Sequence, residues 1–526
     1  MERGSPPAAQ PAGGVAARGG FAWPALLVAA AGALHTLAYV HTAAWPLALA
    51  TVALLVFVLQ ASTPLRAGVL GFSFGVGWLV AGTWWLYISM HRYGGLPAPL
   101  AALAVLALAA ALSLYLALAA ALWARWRRGR ALADAALFAA LWLLVELARG
   151  VLFTGFPWVA FGYAFVDAPL AGLAPWVGVY GIGAIAAFAA ALLGGLMQVV
   201  AGRRATVVAG VIALLTLPGI FGRSGPGVHT MAAGSLQVTL LQSNVAQDEK
   251  FAADHLPGTL RWVAQQLTGA RDGLVIAPET AVPLLPTQLE EVAPGYWAAL
   301  QQHFRQPGRA ALVGVPFGDF ERGYTNSVAG LSAATVQQPY RYDKSHLVPF
   351  GEFIPTGFRW FVDMMRIPLG DFARGGLNQP SFAVGTQRVA PNICYEDLFG
   401  EELARRFVVE ATAPTVLANV SNIGWFGNTV AIPQHLNISR FRSLELQRPM
   451  LRATNTGATV VIDHQGVVRA AMPPMTRGVL VSMVEGRTGT TPFAAWAGRY
   501  GLWPLGLLAA ALIGACAGWS RRRFAP

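Results

Sequence analysis

The apolar positions divide the chain into two textures. From about residue 21 to about 222 they run almost unbroken, in stretches at about 21–40, 44–61, 66–90, 97–124, 131–152, 170–201 and 204–222, with a further one at about 501–519. A helix needs roughly 20 apolar residues to cross a bilayer, so the pattern predicts about eight membrane spans. Between the seventh and eighth, at about 223–495, the pattern changes. Short β-type runs (236–241, 274–277, 311–315, 415–420, 458–462 and 479–484) alternate with helix-like ones (259–267, 298–304, 401–410 and 434–446). That alternation predicts an α/β domain whose sheets are covered by helices, with enough residues for its own core. Residues 1–20 read as a disordered cytoplasmic tail, and 496–526 as a last span with a basic tail.

Composition sharpens this division. With 55% hydrophobic and 12% charged residues, the chain does not read as an ordinary soluble enzyme. The net charge of +12 could suggest nucleic acid, but the arginines cluster at the ends of the apolar stretches. With a cytoplasmic N-terminus, the inner loops carry Arg66, Arg125, Arg127, Arg128, Arg130, Arg203, Arg204 and Arg521–Arg523, whereas the outer loops carry mainly Arg92 and Arg149. The positive-inside rule then places 223–495 outside the cytoplasm, and no nucleic-acid partner is expected. Trp84, Trp85 and Tyr87 read as an aromatic belt at the outer interface. Glu146 and Arg149, three apart near the outer end of the fifth stretch, read either as a functional pair or as a structural one.

Candidate chemistry gathers on one cysteine. Cys394 ends the strand-like run 387–393 and precedes a helix-like run, a turn that exposes a nucleophile. Taken alone it could equally be a buried structural cysteine. Glu279 closes one β-run and Lys344 follows another, and the C-terminal ends of neighbouring strands converge, so the three can meet. A carboxylate beside a thiol in a shielded pocket is expected to have a raised pKa and to act as base, and an ammonium stabilises thiolate and oxyanion. Lys344 and Lys250 are the only lysines among 37 basic residues, which hints at chemistry a guanidinium cannot perform. The histidines show no ligand-like spacing, so neither metal nor cofactor is expected.

Ala-Pro-Glu279, Lys344-x-x-x-x-Pro-Phe-Gly-Glu352 and Asn-Ile-Cys394-Tyr-Glu396 resemble the Glu-Lys-Cys triad of the nitrilase superfamily. Placed between spans seven and eight, the domain resembles the apolipoprotein N-acyltransferase family. Further stretches match that family: Tyr324-Thr-Asn326-Ser, Asn419-Val-Ser-Asn422-Ile-Gly-Trp425, Gln434-His435 with Arg440, Arg448-Pro-x-x-Arg452-Ala-Thr-Asn455, and Glu146-x-x-Arg149 through Trp158. The resemblance implies an αββα sandwich and a multi-pass protein of the bacterial inner membrane, with its catalytic domain periplasmic and both termini cytoplasmic. It implies ping-pong transfer of an acyl chain, from the sn-1 position of a phospholipid such as phosphatidylethanolamine, through a Cys394 thioester to the α-amine of diacylglyceryl-modified apolipoproteins. Glu279 would be base, Lys344 and the Tyr395 N–H oxyanion donors, and Glu352 and Glu396 supporting acids. Phe251, Trp425, Glu146, Arg149 and Trp158 would contact substrate, the apolar stretch 359–372 would be a lid or a core helix, and the protein would be a monomer. Phe251 and Ile423 depart from the family, which often has Trp and Asp at these places. A membrane-anchored amidase that gives the same thioester to water is the alternative reading.

Overall fold

The computed structural model describes residues 22–222, 227–336, 339–360 and 371–521. Among the described residues, seven helical segments are long and apolar enough to cross a membrane: Ala22–Tyr39, Thr42–Leu59, Pro64–Thr83, Ala98–Trp126, Ala131–Thr154, Pro169–Gly194 and Ala201–Ile220. An eighth candidate is a pair of helices, Pro492–Tyr500 and Trp503–Cys516, bent by 89°. The protein is therefore membrane-embedded. Small residues bring helices together, as expected where lipid tails remove the hydrophobic drive for association. A Cβ on Gly32 of the first span would lie 2.1 Å from the Phe74 carbonyl oxygen, and one on Gly77 of the third 2.0 Å from that of Ala29.

Twelve strands follow, β1 Met231–Gln242, β2 Gly273–Ile276, β3 Arg309–Asp319, β4 Gly323–Ser332, β5 Tyr340–Asp343, β6 Phe382–Val384, β7 Gln387–Ile393, β8 Val416–Ser421, β9 Met450–Thr454, β10 Val460–Ile462, β11 Val468–Ala471 and β12 Gly478–Thr488. They form two six-stranded sheets, ordered β12-β1-β2-β3-β4-β5 and β11-β10-β9-β8-β7-β6. Strand alternation sorts their side chains. Leu274, Ile276, Ala310 and Leu312 meet Val389, Ile393, Val416, Ala418 and Val420 between the sheets. Val275, Ala277, Ala311 and Val313 point the other way, under helices Leu256–Gly269 and Tyr296–His303. Ala390 and Leu417 do likewise on the second sheet, beneath the helix pieces 400–407 and Pro492–Tyr500. The result is an αββα sandwich.

Two expectations need correction. The run 401–410 is α-helical only over Gly400–Ala404, with a 3-10 turn at Arg405–Phe407. Arg406 turns inward to the Pro391 carbonyl at 2.6 Å, and the β-branched pair Val408–Val409 follows, so the helix stops. Trp85 is 1% exposed and so is no belt residue. Its indole N–H donates to Gln434 Oε1 at 3.1 Å, across to the sandwich, while Trp84 stays exposed.

The sandwich sits on the spans through helix Ala431–Leu446 and the turn after β7. The sixth span breaks at Gly178, whose φ of 66° frees the Val179 N–H to donate to Glu445 Oε1 at 2.7 Å. Asn437 donates to the Tyr39 carbonyl at 3.0 Å, and Tyr395 to that of Gly155 at 2.8 Å.

Candidate active site

Glu279 lies three residues past β2, Lys344 directly after β5 and Cys394 directly after β7. The first two leave one sheet and the third leaves the other, and β2 and β5 are separated by β3 and β4. The site therefore forms at the open end of the sandwich, between the sheets, and not at neighbouring strand ends of one sheet. Three loops there carry non-glycine residues in the left-handed region: Thr280 (φ 47°) beside Glu279, Phe350 (φ 62°) ahead of Glu352, and Cys394 itself (φ 51°). Such conformations persist only where surrounding contacts enforce them, and they cluster at functional sites.

The contacts that enforce the Glu279 turn are backbone against backbone. A Cβ on Gly314 of β3 would lie 2.2 Å from the Pro278 carbonyl oxygen and 2.8 Å from Glu279 Cα, so only glycine admits the turn there. Glu279 Oε1 accepts from Asn326 Nδ2 at 2.7 Å and faces Lys344 Nζ at 3.5 Å, while Oε2 accepts the Asn422 N–H at 2.8 Å. Lys344, 1% exposed, donates to Glu352 Oε1 at 2.8 Å. Asn326 bridges both carboxylates, reaching Glu352 Oε1 at 2.9 Å. Glu352 Oε2 takes the Val348 N–H at 2.8 Å, closing its loop.

Glu396 has a different task. It accepts from the Ile393 N–H at 2.6 Å, the Ser345 N–H at 2.6 Å and the Tyr342 hydroxyl at 2.9 Å. It thus ties the residue before the nucleophile to the residue after Lys344, as a third-position glutamate does in a capping box. Behind Cys394 a second buried cluster holds the backbone. Asn419 Nδ2 and His435 Nε2 reach the Cys394 carbonyl at 3.2 and 3.3 Å. Arg452 can only donate, so His435 Nδ1 accepts from it at 3.1 Å and the ring N–H sits on Nε2, shared with Asp397 Oδ1 at 2.8 Å.

Burial pushes the Cys394 thiol up to about 12, Glu279 adds to the rise, and Lys344 opposes it. The resting cysteine is therefore a thiol. For Glu279 burial also raises the pKa, but Lys344, Lys250, Asn326 and the Asn422 N–H outweigh it and hold the carboxyl below its usual range. This reverses the sequence-based expectation of a raised pKa, because a carboxylate sharing its pocket with ammonium groups is stabilised more than burial penalises it. For Lys344 burial works downward, yet Glu352 and Glu279 win and keep it charged. The arrangement is a neutral thiol, an ionised carboxylate and a fixed cation.

The remaining sequence candidates separate by distance from this centre. Phe251 is 58% exposed on the loop beside Lys250. Trp425 packs edge-on against Tyr93, between the third and fourth spans, ring centres 5.6 Å apart. Glu146 and Arg149 are buried in the fifth span as an ion pair at 3.6 Å, and they grip the next loop by its backbone. Glu146 accepts the Phe161 N–H at 2.6 Å and Arg149 donates to the Trp158 carbonyl at 2.9 Å. Trp158 is buried, stacks on His435 and donates to Gln434 Oε1 at 2.8 Å. The stretch 361–370 lies outside the described residues. Sequence reasoning gave no role to Gly314 or Asp397: nothing local marks a glycine inside a strand, or an aspartate after a glutamate, as site residues.

The family described as "Carbon-nitrogen hydrolase" matches residues 239–493, the span of the two sheets, and "Apolipoprotein N-acyltransferase N-terminal domain" matches 31–192. A protein of Verminephrobacter eiseniae named apolipoprotein N-acyltransferase is 52% identical over 87% of this chain and 89% of its own. One of the same name from Ralstonia nicotianae is 47% identical over 89% of this chain and 88% of its own.

Proposed function

Because the chain belongs to the apolipoprotein N-acyltransferase family, we propose that this membrane-embedded acyltransferase moves a fatty acyl chain from a phospholipid to an apolipoprotein, through a thioester on Cys394. The observation that carries the reading is the partly exposed Cys394 thiol grouped with buried, ionised Glu279 and Lys344 at the mouth of the sandwich, where it rests on the spans.

With the thiol held high and the carboxylate low, a free thiolate is costly. Proton transfer from Cys394 to Glu279 therefore accompanies attack on the ester carbonyl. Lys344 Nζ and the Tyr395 N–H receive the oxyanion. As the tetrahedral centre collapses, the lysophospholipid alkoxide leaves with the proton from Glu279, and the acyl group stays on sulfur. The α-amine of a diacylglyceryl-cysteine then attacks the thioester, Glu279 takes its proton, and the amide leaves as the thiol is restored. Glu352 holds Lys344 in place, and Glu396 holds the two loops together. Phe251 and Trp425 offer apolar surface to acyl chains, while Glu146, Arg149 and Trp158 act one layer back by supporting the nucleophile's turn. The domain would lie on the periplasmic side of the inner membrane.

The test is intact mass of the detergent-purified protein after incubation with phosphatidylethanolamine. One fatty-acyl adduct is expected, removed by hydroxylamine, absent in Cys394→Ser, and discharged onto a diacylglyceryl-cysteine peptide. Discharge to water alone would favour the amidase, and absence of any adduct would sink the mechanism.

A further inference from the structure

Lys250, the second of the chain's two lysines, has no part in the chemistry above. Its side chain is nonetheless inside the site, 4% exposed. Nζ donates to the Glu279 carbonyl at 3.0 Å and to the Thr280 hydroxyl. It therefore holds the left-handed residue that follows the base. The loop that delivers it is anchored at its start: the Asn244 N–H donates to the Asn455 carbonyl at 2.8 Å, the Val245 N–H to Asn455 Oδ1 at 2.9 Å, and Gln247 accepts from Asn422 Nδ2 at 2.8 Å. Asn422 is the residue whose N–H holds Glu279 Oε2, so loop, base and lysine form one closed set of contacts.

Charge makes the case beyond geometry. Lys344 faces two carboxylates, Glu279 at 3.5 Å and Glu352 at 2.8 Å, so these three groups together carry one unmatched negative charge. A buried unmatched charge is costly, and a second ammonium in the same pocket cancels it. We propose that Lys250 is the second cation of the active site: it clamps the Glu279 turn and supplies the positive charge that lets negative charge pass from Glu279 to the Cys394 sulfur. It is a positioning residue, since it contacts the base's backbone and no reacting atom. The inference rests on the assignment of Glu279 and Cys394 as base and nucleophile, and not on the identity of the acyl donor.

The groups facing Lys250 are Glu279 from the turn after β2 and Cys394 from the turn after β7. On its own loop Asp248 and Glu249 are exposed and paired elsewhere, with Arg92 at 3.5 Å and His255 at 3.7 Å. Burial pushes the Lys250 ammonium down to about 8, with Glu279 and Cys394 opposing the fall. Its charge is thus present near neutrality and is lost on moderate alkalinisation.

The test uses the full chain in detergent with Cys516→Ser, leaving Cys394 as the one thiol, and follows its alkylation by iodoacetamide from about pH 6 to about pH 10. Lys250→Met and Lys250→Gln, checked for the parent melting curve, are expected to alkylate about tenfold more slowly near pH 7, equivalent to one pH unit. Their rates should converge on the parent's above about pH 9, where Lys250 is itself neutral. Lys250→Arg, which keeps its charge, is expected to hold the parental rate near neutrality and to exceed it at high pH. Neutral variants with the parental profile would overturn the proposal, and so would an arginine variant displaced as far as they are. Failure of the acyl-transfer reading shows separately, as a parent protein that phospholipid never acylates.

Discussion

Glu352→Gln separates the two effects that surround Lys344. The side chain keeps its volume but loses its charge, and only one of its two polar atoms can still accept. Facing Lys344 Nζ and Asn326 Nδ2 with its oxygen (2.8 and 2.9 Å in the parent), the amide must turn its NH2 toward the Val348 N–H, which Glu352 Oε2 accepts at 2.8 Å. Replacing a charged by a neutral hydrogen bond costs about 1 kcal/mol, and leaving a buried N–H unpaired costs about 1–3 kcal/mol. Glu279, still 3.5 Å from Nζ, limits the loss at the ammonium. A total of about 3 kcal/mol corresponds to a melting temperature lower by about 6–12 °C for a domain of this size. Kinetics should move in opposite directions. Glu352 is among the groups that push the Cys394 thiol up, so its loss lowers that pKa and speeds iodoacetamide alkylation several-fold near pH 7. Acylation from phospholipid should fall at least tenfold, because a Lys344 held by a neutral acceptor is less firmly placed to meet the oxyanion. The assays are melting by intrinsic fluorescence, thiol alkylation, and single-turnover acyl-enzyme formation by intact mass. Parental melting together with parental acylation would refute the argument; slowed alkylation would refute its electrostatic half.

Two further outcomes follow from the same contacts. Gln434→Leu removes the acceptor of the Trp158 indole N–H, while Trp85 keeps the Gly82 carbonyl at 3.0 Å, so about 1–3 kcal/mol of docking is lost; the variant should melt several degrees lower and be nicked faster by protease between the spans and the sandwich, and unchanged proteolysis would contradict the docking role. Glu279 and Asp397 are both held below the usual carboxylate range, so each contributes stability that is fully present above its unfolded value of about 4 and is lost as pH falls through its folded value. On acidification the stability advantage of the parent over Glu279→Gln should accordingly hold from about pH 6 to about pH 5 and shrink only below about pH 4, and an advantage already fading as pH falls through about 6 would show that the carboxyl is not depressed.

What could be read from the sequence follows from which physics is local. A bilayer demands about 20 apolar residues whatever the neighbours, so the spans are visible in composition alone. The buried parallel strand β2 is a continuous apolar run and equally visible, and β8 opens with one ahead of Asn419 and Ser421. In β4, Gly323–Ser332, the polar residues Thr325, Asn326 and Ser327 stand in a row, and in β9, Met450–Thr454, an arginine sits mid-strand; both disappear from a hydrophobicity pattern. They are strands because partners supply what the local sequence lacks: Asn326 faces two carboxylates, and Arg452 faces Asp397 at 3.1 Å. Glu279, Lys344 and Cys394 stood out by residue type and place after β-runs, but the sheet each leaves is a matter of topology. The direction of the Glu279 shift could not be read either, since it depends on Lys344 and Lys250, 65 and 29 positions away along the chain.

The pair Glu146–Arg149 lies at the start of a series of contacts that reaches the turn at Cys394. The two ions pair inside the fifth span, and each also makes one contact to the loop backbone further on, Glu146 to the Phe161 N–H and Arg149 to the Trp158 carbonyl. That loop is strained, with Phe153 (φ 55°), Thr154 (φ 73°) and Val159 (φ 52°) in the left-handed region, and it would relax without such anchors. Its carbonyls are what the turns at Lys344 and Cys394 rest on: Thr154 accepts from His346 Nε2 at 2.9 Å, two residues past Lys344, and Gly155 accepts from the hydroxyl of Tyr395 at 2.8 Å, one residue past Cys394. Trp158 adds its ring to His435, which reaches the Cys394 carbonyl. The membrane part is thus more than an anchor. It supplies part of the support for the turns that carry Lys344 and Cys394.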